Sequence, residues 1–197
     1  TVNHTVEKSY IRALLQEWKL YTDLLEDRPV IRELHLGGGT PTFFSPDNLD
    51  ALLSGIFRTA VIHPASEFSF EVHPANTRPE HLQTLYKLGF RRISIGVQDF
   101  DPVILEKINR KQSFEEVKSV TQEARTAGYL SVNFDLIYGL PFQTGSEISN
   151  TFSKVMALRP DRIAFYGYAH VPWIKPAQRK FTDNDVPGGE EKMELYL

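Results

Sequence analysis

Ile31-Arg32-Glu33-Leu34-His35-Leu36-Gly37-Gly38-Gly39-Thr40-Pro41 is the stretch on which the fold turns. Ile31 to Leu36 forms a short β-rich run, and three glycines followed by a proline end it abruptly. Ser45-Pro46 then supplies an N-cap and an N1 proline for a helix striped by Leu49, Leu52, Leu53, Ile56 and Phe57. This strand-turn-helix unit recurs along the chain. Glu67 to Val72, Arg92 to Val97, Leu130 to Ile137 and Arg162 to Tyr166 are the other strand candidates. The intervening helices open at Thr77-Arg78-Pro79-Glu80, Asp101-Pro102, Ser113 with Glu116, and Thr144 with Glu147, and two of them close at Gly89 and Gly128. Upstream of the first strand, Tyr10, Ile11, Leu14, Leu15, Trp18, Tyr21 and Leu25 recur at three- and four-residue spacing and predict one long amphipathic helix.

Five strands alternating with helices predict an α/β fold with a parallel sheet and right-handed crossovers; a barrel and an open sheet both fit. Strands such as Ile93 to Val97 carry apolar residues on both pleat faces, as expected where helices cover one side and a packed interior the other. From Pro172 the pattern gives way to a basic, turn-rich run, so 1–171 reads as the β/α core and 172–197 as the start of a C-terminal segment. A chain of 197 residues is about one large domain at ~150 residues per domain. Its balance of 22 Lys and Arg against 25 Asp and Glu, net −3, lacks the strong positive field of a nucleic-acid binder. No run approaches the ~18 to 20 apolar residues that span a bilayer, and the first residues are not a signal peptide, so a cytoplasmic location is expected. The chain has no cysteine, which excludes disulfides, thiol nucleophiles and any metal or iron-sulfur site built on its own thiolates. The missing initiator Met reads as a start inside a longer protein.

In parallel β/α folds, function collects at the carboxyl ends of the strands. Those ends carry Gly37 to Thr40, Glu71 and His73, Gln98 and Asp99, Asp135 and Tyr138, and Tyr168 to His170. The triple glycine lets a ligand approach bare backbone; with no Gly-Lys-Ser/Thr and no G-x-G-x-x-G it is neither a P-loop nor a dinucleotide loop. Glu71 alternates onto the polar face of its strand, where it either accepts ligand hydroxyls or an amine, or pairs with a neighbouring Arg. Asp135 is a charge within Val132-Asn133-Phe134-Asp135-Leu136-Ile137, costly in a central strand unless paired or functional. Arg110 is either a solvated helix-end residue or a clamp for a carboxylate. His4, His63 and His81 have no partners at metal-ligand spacing and read as surface or capping residues. His170 is open between a pocket and a structural role. No residue reads as an acid-base catalyst, and none as a metal ligand.

Six motifs then stand in order: Leu36-Gly37-Gly38-Gly39-Thr40-Pro41-Thr42, Phe70-Glu71-Val72-His73-Pro74, Ile95-Gly96-Val97-Gln98-Asp99-Phe100, Ile108-Asn109-Arg110-Lys111-Gln112, Asp135-Leu136-Ile137-Tyr138-Gly139-Leu140-Pro141 and Tyr168-Ala169-His170-Val171-Pro172. From about Ile31 to Lys180 the chain resembles the oxygen-independent coproporphyrinogen III oxidases (coproporphyrinogen dehydrogenases) of the radical S-adenosylmethionine (SAM) superfamily. That resemblance implies an incomplete (β/α)₆ TIM-like barrel, here without its first strand and its C-terminal domain. It also implies an anaerobic step of haem biosynthesis. A [4Fe-4S] cluster cleaves SAM to a 5′-deoxyadenosyl radical, and oxidative decarboxylation of coproporphyrinogen III gives protoporphyrinogen IX, with electrons from a donor such as a flavodoxin-type system. The family binds two SAM molecules. Carried onto matching positions, Gly38 and Glu71 resemble contacts for the cluster-bound SAM, and Gly39, Thr40, Gln98, Arg110, Asp135 and Ala169 contacts for the second. The cluster cysteines of the family have no counterpart in this chain, which implies ligands outside it and an inactive fragment. Two other readings stand beside it: a haem-chaperone-like radical SAM protein that binds haem, which shares the barrel and the glycine motif while Val97 to Phe100, Ile108 to Gln112 and Ala169 to Pro172 are more similar to the oxidases, and a cluster-free SAM-binding relative. Cysteine spacing upstream of Thr1 would separate all three.

Overall fold

The computed structural model describes residues 4–197. Five strands, β1 (Val30–Leu36), β2 (Val61–Val72), β3 (Phe90–Gln98), β4 (Ser131–Tyr138) and β5 (Arg162–Gly167), form one parallel sheet in the order β1-β2-β3-β4-β5. Helices connect them: α1 (Glu7–Thr22) before β1, α2 (Pro46–Phe57), α3 (Pro79–Lys87), the short α4 (Pro102–Lys107) and α5 (Phe114–Ala127), α6 (Gly145–Leu158), and α7 (Gly189–Tyr196) after β5. A parallel sheet laid down in chain order sends every right-handed crossover over the same face. The larger helices accordingly pack in sequence, α1 on α2, α2 on α3, α3 on α5, α5 on α6 and α6 on α7. The result is a curled half-barrel, with helices outside and the opposite face of the sheet left open.

The pleat sorts residues between those two faces. On the helix side Phe70, Phe90, Ile95, Val97, Phe134 and Leu136 are buried, joined by Leu49, Leu53, Leu82, Leu85 and Val117 from the helices. Phe70 sits edge-on to Phe90 and tilted against Tyr129, whose hydroxyl donates to the Leu82 carbonyl at 2.9 Å; burial pushes this phenol up. Each such aromatic contributes about 1.5–3 kcal/mol by leaving water. On the other face stand Glu67, Ser69, Glu71, Arg92, Ser94, Gly96, Gln98, Asn133 and Asp135, none of them buried. The expected second apolar face is therefore polar.

Local signals account for most boundaries. The Ser45 hydroxyl accepts the Asn48 N–H, and Ser113 with Glu116 and Thr144 with Glu147 form reciprocal capping boxes. The box expected at Thr77 and Glu80 does not form. Instead the neutral His81 ring accepts the Arg78 N–H at Nδ1 (3.1 Å) and donates from Nε2 to the Phe44 carbonyl (3.0 Å), while Thr77 turns to Thr42 and the His73 carbonyl. α1 stops at Thr22, so Leu25 of the expected stripe lies beyond it, and Tyr10 and Tyr21 are exposed. β2 starts six residues before the expected Glu67, because Val61 and Ile62 pair with Val30 and Ile31 ahead of an irregularity that carries Pro64. α7 rests against β4, with Tyr196 near Tyr138.

Candidate functional site

The β1 loop presents bare backbone to the open face. Gly38 and Gly39 have φ of +74° and +96°, and a Cβ on either would meet nothing within 4 Å. Left-handed glycines with clear space beside them form a cradle into which a ligand can settle. Thr40 follows in extended conformation, its carbonyl taking the Phe43 N–H at 2.9 Å to start a 3₁₀ turn. Beneath the loop, Glu71 lies against the Cα of Gly37, one carboxylate oxygen 3.0 Å from where a Cβ would stand, with His35 Nε2 3.6 Å from the same oxygen. Glu71 is half exposed and carries no partner among the arginines of the described residues, which leaves lone pairs free for a ligand.

Asp135 occupies the same layer two strands along, in register with Gly96. Ser94 Oγ donates to one carboxylate oxygen at 2.7 Å and Asn133 Nδ2 to the other at 2.8 Å. Burial pushes this carboxyl up and the nearby Glu71 adds to that, while the two hydrogen bonds and the Arg110 charge pull it back. The group is thus a half-buried carboxylate with incomplete compensation, the arrangement expected where a cationic or hydroxyl-bearing ligand completes the set.

Arg110 comes from a distant position in the chain. After α4 the backbone turns through Asn109 at φ +56°, and the Arg110 N–H returns to the Leu105 carbonyl at 2.8 Å. The side chain then reaches across the sheet, donating through Nη2 to the Gly96 carbonyl and through Nε to Gln112 Oε1 at 2.9 Å. Arg110 is therefore no solvated helix-end residue; burial lowers its pKa, and Asp135 partly restores it. Gly96 makes the approach possible: a Cβ there would lie 2.8 Å from Arg110 Nη2 and 2.9 Å from Gln98 Nε2. Two polar side chains thus gather over one bare position.

Glu71, Gln98, Arg110 and Asp135 form one cluster across β2, β3 and β4, and Gly38, Gly39 and Thr40 border it through Gly37. Ala169 is exposed on the loop after β5, where its carbonyl accepts Gln178 Nε2 at 3.1 Å and Gln178 Oε1 takes the Val171 N–H at 2.6 Å. Two further residues bear on this region: His73, one of the strand-end polar residues, and Glu7, which no strand-end pattern marks. The buried Nδ1 of His73 has no hydrogen-bond partner; burial, aided by the Arg110 charge, keeps the ring's pKa low. Glu7 at the start of α1 accepts Asn48 Nδ2 at 2.6 Å and the Ser45 N–H at 3.0 Å, tying α1 to α2. The link from Glu7 to α2 left no local sign in the sequence, because Ser45 and Asn48 lie 38 and 41 residues away. Asp99, one of the strand-end polar residues, is wholly buried and does not itself reach the open face. His170 Nδ1 is likewise buried without a partner.

A fixed guanidinium beside a carboxylate suits a zwitterionic amino acid joined to a hydroxyl-rich group, the arginine for its carboxylate and Asp135 for its ammonium or hydroxyls, and Glu71 beside the open glycine backbone offers a second acceptor of the same kind. SAM fits that description. A thiolate-bound cluster does not fit the chain, which contains no cysteine. Among the described residues no group of three or more His, Cys, Asp or Glu is placed to hold a metal ion, and no helix is long and apolar enough to cross a membrane.

The sequence profile of the radical SAM superfamily matches residues 4–155. Oxygen-independent coproporphyrinogen III oxidases from Helicobacter pylori (strain J99) and Pseudomonas aeruginosa are 42% and 38% identical over 187 and 189 residues, each alignment covering 94% of this chain and 41% of the relative. The chain thus spans about two fifths of the length of these relatives. The structure of coproporphyrinogen III oxidase from Escherichia coli, described as a radical SAM enzyme, superposes with a TM-score of 0.94 at 35% identity, covering all of this chain and 45% of that one. With the profile spanning most of the chain and the half-barrel matched in full, the chain belongs to the radical SAM superfamily.

Proposed function

We propose that this chain is the SAM-binding wall of an oxygen-independent coproporphyrinogen III oxidase, acting within the full-length protein in the oxidative decarboxylation of coproporphyrinogen III to protoporphyrinogen IX. The observation that carries the reading is the convergence of Glu71, Gln98, Arg110 and Asp135 on one open strand-end surface beside Gly38 and Gly39. The names of the relatives and their 38–42% identity supply the substrate class.

When bound, SAM supplies the one-electron chemistry; the residues of this chain bind and orient it. Arg110 offers a guanidinium edge to the carboxylate of the methionyl group, held in place by the Gly96 carbonyl and Gln112. Asp135, fixed by Ser94 and Asn133, faces an ammonium or ribose hydroxyl. Gly38 and Gly39 admit the ligand to backbone amides and carbonyls. We assign Gly38 and Glu71 to a first SAM and Gly39, Thr40, Gln98, Arg110, Asp135 and Ala169 to a second. The cluster takes its thiolates from outside these 197 residues. An electron donor of the flavodoxin type, a cytoplasmic location and a division of the chain at 171/172 belong to the same reading.

The test is anaerobic reconstitution of the full-length protein with iron and sulfide, followed by incubation with SAM, reductant and coproporphyrinogen III. Formation of 5′-deoxyadenosine together with vinyl-bearing product is expected. If neither forms while haem binds stoichiometrically, the coproporphyrinogen reading fails in favour of a haem-chaperone role.

A further inference from the structure

Gln98 adopts a backbone conformation that residues with side chains seldom visit, and the residue after it is a fully buried carboxylate. The Asp99 N–H donates to the Val97 carbonyl at 2.8 Å across Gln98, whose φ is +66°. An i to i+2 hydrogen bond around a positive φ is the rare, strained form of γ-turn. The register between β3 and β4 shifts at this point, between Gly96 and Gln98. The kink re-aims the Gln98 side chain, placing Nε2 2.9 Å from the spot a Gly96 Cβ would fill, next to Arg110 Nη2. Such strain persists only where the surroundings over-determine it.

Asp99 provides that over-determination. Its Oδ1 accepts the N–H groups of Phe100 (2.6 Å) and Asp101 (2.7 Å) and the Thr151 hydroxyl (2.6 Å), and its Oδ2 accepts Gln143 Nε2. Gln143 is itself fixed, its Oε1 taking the Leu140 N–H at 3.2 Å and its Nε2 also reaching the Ile137 carbonyl at 3.2 Å, just past Asp135 on β4. Gln112 Nε2 donates to the Val97 carbonyl from the other side. A regular strand end lined by apolar side chains would meet the needs of packing without burying a charge. Four donors around one carboxylate instead lock the turn that points Gln98 into the open face.

We propose that Asp99 is a positioning residue for ligand binding: with Gln143 and Thr151 it clamps the γ-turn at Gln98, so that the Gln98 carboxamide is held beside Arg110 ready to meet SAM. This rests on the reading of Gln98 and Arg110 as SAM contacts.

A double-mutant cycle in the reconstituted full-length protein tests it, with SAM affinity from equilibrium dialysis and thermal stability measured in parallel on Gln98→Ala, Asp99→Asn and the double variant. Gln98→Ala and Asp99→Asn are each expected to weaken SAM about tenfold, the weight of one hydrogen bond to a charged ligand. In the Gln98→Ala background, Asp99→Asn is expected to change affinity by less than about twofold, because its effect passes through Gln98. A fall in melting temperature with unchanged affinity, or an undiminished loss in the double variant, overturns the proposal. Should Asp99→Asn fail to fold, Thr151→Val, which removes one donor of four, takes its place in the cycle with a smaller expected loss under the same criterion. If neither Gln98→Ala nor Arg110→Lys alters SAM affinity, the underlying site reading fails; if Gln98→Ala weakens binding and the Asp99 and Thr151 variants do not, the clamp alone fails.

Discussion

Gly96→Ala separates ligand binding from stability. The new methyl would stand 2.8 Å from Arg110 Nη2 and 2.9 Å from Gln98 Nε2, against the ~3.5–4.0 Å of an ordinary contact. Both obstructing atoms are the far ends of flexible side chains, so they move away by about 1 Å and the strand stays. Arg110 then gives up its bond to the Gly96 carbonyl and its aim at the ligand. A hydrogen bond to a charged group is worth about 1.5–3 kcal/mol, so SAM affinity should fall about ten- to hundredfold. Gly96 does not sit at positive φ, so alanine costs the backbone nothing and reduces the entropy of the unfolded chain by about 0.4–1 kcal/mol. The stability of the variant is therefore expected within about 1 kcal/mol of the parent. Equilibrium dialysis with SAM and chemical denaturation of the full-length protein read the two quantities separately. Unchanged affinity would refute the placement of the site over Gly96. A stability loss beyond about 2 kcal/mol would show instead that the bare position serves packing.

Asp135→Asn should stabilise the ligand-free protein near neutral pH while weakening SAM. The folded carboxyl titrates above its ordinary value, so the native state binds more protons in that window and loses stability as pH rises through it. Melting curves from acid to neutral pH should show the advantage of the variant shrinking on acidification; growth instead would contradict the burial argument. Glu147 titrates the opposite way, its carboxyl held down to about 2 by Thr144 and Ser146 in the α6 capping box. Its contribution is complete above the unfolded value of 4.5 and is lost between there and about 2, so Glu147→Gln should lower the melting temperature at pH 7 and converge with the parent in strong acid. Phe134→Ala, at a fully buried ring on β4, should cost about 3–5 kcal/mol in urea unfolding, and a loss under about 2 would mean that the core collapses around the gap.

The legible parts of this protein are those written in local chemistry. Ser45-Pro46, Ser113 with Glu116 and Thr144 with Glu147 announce helix starts because a cap and its partner lie within three residues. The strand-end polar residues could be found because a parallel sheet directs every carboxyl end to the same side. Where the partner is remote, local patterns misled: Thr77 and Glu80 spell a capping box, yet His81 takes the Arg78 amide because Phe44, 37 residues away, fixes its ring. Arg110 at a helix end gave no local sign of being drawn over Gly96, since that contact spans 14 residues and needs a bare position on the neighbouring strand.

Periodicity, caps and glycine punctuation in the sequence by themselves determined an α/β chain with parallel strands and polar residues gathered at one rim. These are properties of residues within a turn or two of one another, where hydrogen bonding and hydrophobic alternation act locally. Only the tertiary structure decided that the inner face of the sheet is polar and open, that Asp99 is buried under four hydrogen-bond donors while its neighbour Gln98 faces outward, and that Asp135 and Arg110 share one field. Burial and electrostatics depend on what surrounds a group in space, and in this fold those surroundings come from strands and loops that the chain brings together only when the sheet forms.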